Sequence, residues 1–281
     1  MSKSSANMTH RAELHSHSTA SDGTHSPAQV GRLCHQEGIE IWSLTDHDNC
    51  YGCAEAREAA EAFGIQFIPG IEISAFWGTS VHVLGYGFDP EGEIIEDYSR
   101  RRIESRRQRM HAMIDRLDEL GVSMTIEQVE ACAESTVLGR PHLAAALAKA
   151  GQVDSVQDAF DRWLHTGGPA HVVTEWPSVT DAISLIQRAG GLAVLAHPGQ
   201  YDLDDAIEEW ADAGLDGIEV VHPSHDRSAS RRYRKLADRF GLLKTASSDF
   251  HGNRARRTYF GSVPFPTDWL EAFLDAVGVE A

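Results

Sequence analysis

The chain has 281 residues, 42% of them hydrophobic, and a net charge of −17 at pH 7. That apolar content can bury a full core for one α/β barrel or two small domains, no run approaches the roughly 18 apolar residues of a membrane span, and the acidic balance argues against broad nucleic-acid binding through a basic surface. The polar start Met1 to His10 is not signal-like, and Cys34, Cys50, Cys53 and Cys132 lack a disulfide framework spacing, so a cytoplasmic protein with no membrane attachment and no obligate protein partner is expected.

Apolar periodicity predicts strands and helices in alternation. Ala12 to His17 reads as a strand and leads into a helix near Pro27 to Glu37; Ile39 to Thr45 leads into Cys53 to Phe63; Gln66 to Ser74 and Val81 to Phe88 follow as strands. Later, Ile183 to Ala189 reads as helix, Leu192 to His197 as strand, Asp204 to Ala213 as helix, Gly217 to Val221 as strand, Ser228 to Phe240 as helix and Leu242 to Ser248 as strand. Repeated βα units imply a mostly parallel sheet. Roughly 115 positions separate His82 from His197, far more than a connection needs. That interval has helical patterning of its own over Tyr98 to Leu120, Ile126 to Ala133, Arg140 to Ala150 and Val156 to Leu164. An inserted helical subdomain, 98–175, lying over the mouth of a barrel formed by 10–97 and 176–281, is the expected organisation. Its first helix carries Arg100, Arg101, Arg102, Arg106, Arg107 and Arg109, which suits either a solvated face balanced by nearby acids or a phosphate-contacting ridge.

Chemistry gathers at the strand ends. Glu13-Leu14-His15-Ser16-His17, Thr45-Asp46-His47-Asp48, Gly70-Ile71-Glu72-Ile73-Ser74, Val81-His82-Val83, Leu195-Ala196-His197-Pro198 and Ser248-Asp249-Phe250-His251 each close or interrupt an apolar run. Side chains two apart on a strand point the same way, so His15 and His17 can share an ion. Imidazoles and carboxylates collected at one sheet edge, with hardly any thiolates, describe an N/O site for Zn, Mn or Fe, and nine candidates, counting Asp22 after the first pair, exceed what one ion takes. Three divalent ions would outweigh three ligand carboxylates, so a phosphate substrate is compatible with the acidic chain. The Cys50-x-x-Cys53 pair reads mainly as small apolar packing.

With Asp22 included, these residues resemble the polymerase and histidinol phosphatase (PHP) superfamily over nearly the whole chain. The stretch His15-Ser16-His17-Ser18-Thr19-Ala20-Ser21-Asp22-Gly23, the insertion motif Gly139-Arg140-Pro141-His142 and Val221-His222-Pro223-Ser224-His225 are most similar to the branch of 3',5'-nucleoside bisphosphate phosphatases and the 5'-3' exoribonuclease RNase AM. The resemblance implies a distorted seven-stranded (β/α)7 barrel with an inserted helical substrate-recognition subdomain. It implies three divalent metal ions, Mn²⁺ before Zn²⁺, Fe²⁺ or Mg²⁺: one on His15, His17, Glu72 and Asp249, a second on Glu72, His82 and His197, a third on Asp22, His47 and His251. It implies hydrolysis of the ester at the 3' oxygen of a nucleoside 3',5'-bisphosphate or of 5'-phosphorylated RNA, with a histidinol-phosphate type of monoesterase as the alternative and a degenerate, non-catalytic metal module as the third reading. Arg140 and His142 are then substrate contacts. His222 and His225 are candidates to contact phosphate or to act as general acid, or else satisfied structural histidines. The family writes Asp-Leu-His where this chain has Glu13; Glu13 is expected to orient a ligand imidazole, and Asp46 and Asp48 to do the same or to cap the next helix. His10, His35, His111, His165 and His171 are assigned to surface or packing.

Overall fold

Local chemistry sets the element boundaries. The computed structural model describes residues 9–133, 137–173, 175–252 and 260–279; residues 1–8 and the His10 side chain lie outside the described part. Helix α1 (Pro27–Glu37) begins at Ser26, whose hydroxyl accepts from the Gln29 N–H while the Gln29 side chain accepts from the Ser26 N–H. It ends at Gly38, at φ 67°, a conformation that costs a residue with a Cβ. Helix α2 (Cys53–Phe63) ends the same way at Gly64.

The chain divides into two compact units, Met1–Asp97 with Trp176–Ala281, and Tyr98–Glu175. In the first, β2 (Ala12–Glu13), β3 (Ile41–Trp42) and β4 (Gln66–Phe67) pair in parallel. A five-stranded sheet follows in the order β5 (Gly70–Phe76), β6 (Ser80–Tyr86), β7 (Leu192–Leu195), β8 (Gly217–Val221) and β9 (Leu243–Ala246). Strands β1 (Thr9–His10) and β10 (Phe265–Pro266) make a small antiparallel pair. The architecture is α/β with mixed sheets. The expected parallel arrangement fails at β6, which runs antiparallel to both β5 and β7. Only residues 77–79 join β5 to β6; that suffices for a hairpin, whereas a parallel neighbour needs a crossover of about a dozen residues or more. Among the described residues the ladders do not close into one ring. Single bridges, Ser16 with Phe250 and His47 with Glu72, link the two larger sheets.

Helices α7 (Val179–Arg188), α8 (Ile207–Asp212), α9 (Arg227–Phe240) and α10 (Thr267–Val277) complete this unit. Asp204 to Ala206, expected as the first turn of α8, forms a separate 3₁₀ turn. Val30, Cys34, Trp42, Leu44, Ala56, Ala60 and Phe250 pack one buried cluster. Cys50 and Cys53 are buried with their thiols 3.5 and 3.7 Å from the Gly70 carbonyl, and burial pushes the Cys50 thiol well up, away from thiolate chemistry.

The second unit has its own core, including Met110, Met113, Leu117, Val129, Leu143 and Leu147, contributed by α3 (Glu93–Glu119), α4 (Ile126–Glu130) and α5 (Arg140–Lys149). A one-turn α6 (Val156–Ala159) runs into a π-helical turn, Phe160–Leu164. The arginines of α3 have specific work here. Arg102 Nη1 donates to the Glu175 carbonyl at 2.8 Å and Arg109 Nε to the Val172 carbonyl at 2.7 Å, while Arg116 donates to His171. Spaced seven apart, these three stitch an irregular segment to one helix face.

Candidate metal centre

Every residue that the sequence proposes as a metal ligand lies in the first unit. His15 and His17 follow β2, His47 follows β3, Glu72 and His82 stand on the β5–β6 hairpin, His197 follows β7, and Asp249 and His251 follow β9. Asp22 arrives on the loop after His17, which Gly23 holds close: a Cβ there would lie 2.5 Å from the His17 carbonyl oxygen.

Glu72 is the hub. Its Oε2 lies 3.2 Å from His15 Nε2, 3.1 Å from His17 Nε2 and 3.2 Å from His47 Nδ1. Its Oε1 lies 2.9 Å from His82 Nδ1 and 3.0 Å from His197 Nε2. Asp249 Oδ1 stands 3.4 Å from both His15 Nε2 and His17 Nε2 and 3.3 Å from His251 Nδ1. Asp22 Oδ1 is 3.2 Å from His251 Nε2, and its Oδ2 is 3.9 Å from His47 Nε2. Ligand atoms within 4.8 Å of one another form three groups: His15, His17, Glu72 and Asp249; His17, Asp22, His47 and His251; and His47, Glu72 and His82. The first coincides with the expected set, the second adds His17 to one, and in the third His47 stands where His197 was expected.

This donor set fits divalent cations. His15 Nε2, both ring nitrogens of His17, His47 Nδ1 and Glu72 Oε2 are buried with no hydrogen-bond partner among the described residues. They converge without aligning on one another, and leaving such atoms unmatched is costly unless something sits between them. The charges agree. Burial alone would push the Glu72 carboxyl up; His47, His15 and His82 around it outweigh that and hold it well below the usual carboxylate range. Burial likewise opposes a charged His15 or His17, yet the surrounding carboxylates win, raising His17 to about 10 and His15 well above its ordinary value. Burial wins at His47, lowered to about 4, and lowers His197 as well. The raised His15 and His17 put positive charge beside the buried carboxylates, the charge that divalent cations held there would supply.

Among the described residues, three other than glycine have positive φ, Asp48 at 57°, His197 at 29° and Asp249 at 53°. All three lie in or beside the cluster, where sterically expensive backbone is held by surrounding contacts.

Two supporting residues were not anticipated. Glu219 is fully buried in β8; its Oε1 lies 3.2 Å from His15 Nδ1 and its Oε2 accepts from the His197 N–H at 2.7 Å. It therefore holds the proton on Nδ1 and turns Nε2 toward Glu72, a carboxylate behind a candidate ligand imidazole. The available signal was an acid between Ile218 and Val220 in an apolar strand. Tyr201 places its hydroxyl 2.9 Å from His197 Nδ1 and accepts from the His82 N–H at 3.1 Å. Glu219→Gln is expected to lower divalent-metal affinity by about 10–100-fold with the far-UV circular dichroism preserved; chelator competition that returns wild-type affinity would reduce Glu219 to packing.

Glu13 departs from expectation. It touches no imidazole ring: Oε1 accepts from the N–H groups of His15 and Ser248 at 3.3 and 3.0 Å, and Oε2 from the Ser248 hydroxyl at 2.6 Å. Its longer arm ties the end of β2 to the end of β9, and burial pushes its carboxyl up to about 7 against those hydrogen bonds. Asp46 and Asp48 cap no helix either. Asp46 accepts from the N–H and hydroxyl of Ser18 and from the Ser21 hydroxyl, each at 2.7 Å, and Asp48 Oδ1 accepts from the Ser74 N–H at 2.9 Å.

Of the proposed substrate residues, His222 borders the cluster. Its Nδ1 accepts from the Ser224 N–H at 3.0 Å, which leaves the ring proton on Nε2, 3.4 Å from Asp249 Oδ2. His225 is committed to main chain: Nε2 accepts from the Gly199 N–H at 2.9 Å and Nδ1 donates to the Val220 carbonyl at 3.0 Å. That engages both ring nitrogens and makes His225 a brace for the turn after His197. Arg140 and His142 lie in the second unit. Arg140 Nη1 donates to the Leu164 carbonyl at 3.1 Å, and His142 Nδ1 accepts from the Gly139 N–H at 3.1 Å, closing the start of α5.

Residues 13–178 match the family model of the PHP domain. The chain is 35% identical to a 3',5'-nucleoside bisphosphate phosphatase of Chromobacterium violaceum, over 85% of this chain and 86% of that protein. It is 36% identical to a phosphoribosyl 1,2-cyclic phosphate 1,2-diphosphodiesterase of Eggerthella lenta, over 90% and 96%. It is 32% identical to a 5'-3' exoribonuclease of Haemophilus influenzae, over 94% and 93%. Among solved structures, it is similar to an amidohydrolase of Chromobacterium violaceum with bound sulfate and no metal (TM-score 0.80, 32% identity, 95% of this chain and 96% of that one). A protein of Bifidobacterium adolescentis described as a metal-dependent phosphoesterase is similar at TM-score 0.81 and 30% identity, over 96% and 98%.

Proposed function

Because this chain belongs to the PHP domain family, we propose that it is a metal-dependent phosphoesterase that cleaves the ester at the 3' oxygen of 5'-phosphorylated nucleotides. A 3',5'-bisphosphate then yields a nucleoside 5'-monophosphate and phosphate, and RNA yields 5'-mononucleotides from its 5' end. The observation that carries this reading is the convergence of five imidazoles on the two oxygens of Glu72, with buried ring nitrogens that have no hydrogen-bond partner among the described residues. Cleavage at a nucleoside 3' oxygen would accommodate both the relative named a 3',5'-nucleoside bisphosphate phosphatase and the one named a 5'-3' exoribonuclease.

His15, His17, Glu72 and Asp249 would hold one ion, Glu72 with His82 and His197 a second, and Asp22, His47 and His251 a third, with Mn²⁺ the proposed metal. Bound there, divalent ions lower the pKa of water and neutralise charge on phosphoryl oxygens. The neutral imidazoles leave that positive charge undiminished. His222, with its proton on the nitrogen facing Asp249, is the group to protonate the departing 3' oxygen. Arg140 takes the 5'-phosphate, by the chemistry of a guanidinium fork on an oxyanion. With β4 and β5 counted as two parts of one interrupted strand, the bridges Ser16–Phe250 and His47–Glu72 support reading the two larger sheets as one distorted seven-stranded barrel.

The Eggerthella relative supports a second reading, opening of a cyclic phosphodiester on a phosphoribosyl group, with the same site. The similarities do not favour a histidinol-phosphate phosphatase. Mn²⁺-loaded protein offered a 3',5'-bisphosphate, a 5'-phosphorylated oligoribonucleotide, phosphoribosyl 1,2-cyclic phosphate, histidinol phosphate and an aryl phosphate, each with wild type and Arg140→Ala, separates these readings. The first two are expected to turn over fastest and to lose about 1.5–3 kcal/mol of transition-state stabilisation in Arg140→Ala, while the aryl phosphate loses much less. Preference for the cyclic substrate would favour the second reading, and equal losses on all substrates would remove Arg140 from phosphate recognition.

A further inference from the structure

Helix α9 carries charge that the proposed reaction does not use. Its 14 residues hold Arg227, Arg231, Arg232, Arg234, Lys235 and Arg239 against one acid, Asp238, in a chain whose net charge is −17. Residues four apart share one row on a helix. Arg227, Arg231, Lys235 and Arg239 are all exposed and form one such row, roughly 18 Å from first to last at about 1.5 Å per residue.

Other charges of the helix are already occupied. Arg232 Nε lies 3.0 Å from Asp204 Oδ2, the Arg234 guanidinium stands over the Trp269 ring, and Asp238 is 2.6 Å from Lys244 Nζ. Within the row, Arg239 comes 3.8 Å from Glu208, but those side chains are 66% and 63% exposed, so the pair contributes little. Arg227, Arg231 and Lys235 have no ion-pair partner among the described residues. Like charges at this spacing weaken a helix, and an external polyanion would relieve the repulsion. A shallow groove of about 460 Å³, lined by Ser228, Arg231, Arg232, Lys235, Leu236 and Arg239, runs along the row.

The row begins a short stretch of chain after His222, which borders the candidate metal site. Helix α9 follows β8 through His222, whose Nε2 is 3.4 Å from Asp249 Oδ2, and Arg227 lies five residues further on. We infer that this row is a track for the RNA strand on the 3' side of the scissile phosphate. The inference rests on the phosphoesterase reading above. A single nucleotide held at the cluster is too short to extend along the row, whereas a single strand carries phosphates at intervals along its whole length. Tyr233 is buried, so the row offers charge without an exposed stacking surface, which suits a sequence-independent grip on backbone. It also lacks the large apolar side chains that an interfacial membrane helix inserts.

The double variant Arg231→Gln/Lys235→Gln tests this, since glutamine preserves helix propensity. Binding of a 5'-hydroxyl dodecamer RNA carrying a 3' fluorophore, followed by anisotropy across a salt series, is expected to lose about 1.4 from the slope of log affinity against log salt, at roughly 0.7 per phosphate contact. Between 50 and 200 mM salt that makes the loss of affinity roughly sevenfold smaller than in wild type. The kcat/KM advantage of a 5'-phosphorylated dodecamer over a dinucleotide is expected to shrink, with turnover of the 3',5'-bisphosphate unchanged. Wild-type affinity and slope in the variant would overturn the track, as would a change confined to binding of phosphatidylserine vesicles. Wild-type protein that hydrolyses the bisphosphate but not RNA would overturn the exoribonuclease part of the proposed function, and the anisotropy would still decide the track.

Discussion

Glu72→Gln is expected to lose bound metal and turnover together, with kcat falling at least about 1,000-fold, equivalent to ~4 kcal/mol at the transition state. One oxygen of Glu72 faces His15, His17 and His47, and the other faces His82 and His197. Glutamine keeps the shape, but it removes the charge and turns an N–H donor toward at least two ring nitrogens that must present lone pairs to a cation. Because Glu72 is 1% exposed and anchored in the five-stranded sheet, loss of fold must be separated from loss of metal. Metal content by mass spectrometry, turnover and the thermal midpoint of the cation-free protein make that separation. A variant that retains both metal and activity would end the multinuclear proposal.

RNA with a 5'-hydroxyl is expected to be degraded at least about 100-fold more slowly than the same sequence with a 5'-phosphate, the loss of one or two charge-assisted hydrogen bonds to a bound oxyanion. If the recognised phosphate and the broken ester belong to one nucleoside, the enzyme removes one nucleotide at a time, and each cleavage exposes a new 5'-phosphate. Products should be 5'-mononucleotides, and a 5'-triphosphate should slow the first step through its extra bulk and charge. End-labelled RNA resolved over time gives the answer. Early shortening from the 3' end, internal cuts or indifference to the 5' group would favour a simpler phosphatase.

The α3 arginines show how far composition can mislead about a partner. Six arginines in ten positions invite a phosphate-binding reading, yet Arg102 and Arg109 spend donors on main-chain carbonyls and Arg107 pairs with Glu130 at 2.7 Å. On α9, less dense in sequence, the exposed Arg227, Arg231 and Lys235 have no ion-pair partner among the described residues. A count of charges cannot distinguish these cases, because an irregular segment with unpaired carbonyls consumes cations as readily as a ligand does.

Much of the candidate site was legible before any coordinates. A histidine or carboxylate that closes a Val/Ile/Leu run is delivered to a sheet edge by the strand, so His15, His17, His47, Glu72, His197 and Asp249 could be named from period and composition, which depend only on neighbours along the chain. The helix ends at Gly38 and Gly64 were equally local. What no local pattern contains is which distant groups meet. Glu219 finds His15 across 204 positions only because sheet order brings β8 to the cluster. Glu13 turned from an imidazole to Ser248, and His225 to the Gly199 and Val220 main chain, because buried backbone donors and acceptors in those loops had first claim on any polar side chain within reach. The reversal of β6 came from the length of its connection, and the sharing of His17 and His47 between ligand groups came from how closely the strands approach. These are properties of packing, and packing is decided between segments that the sequence keeps apart.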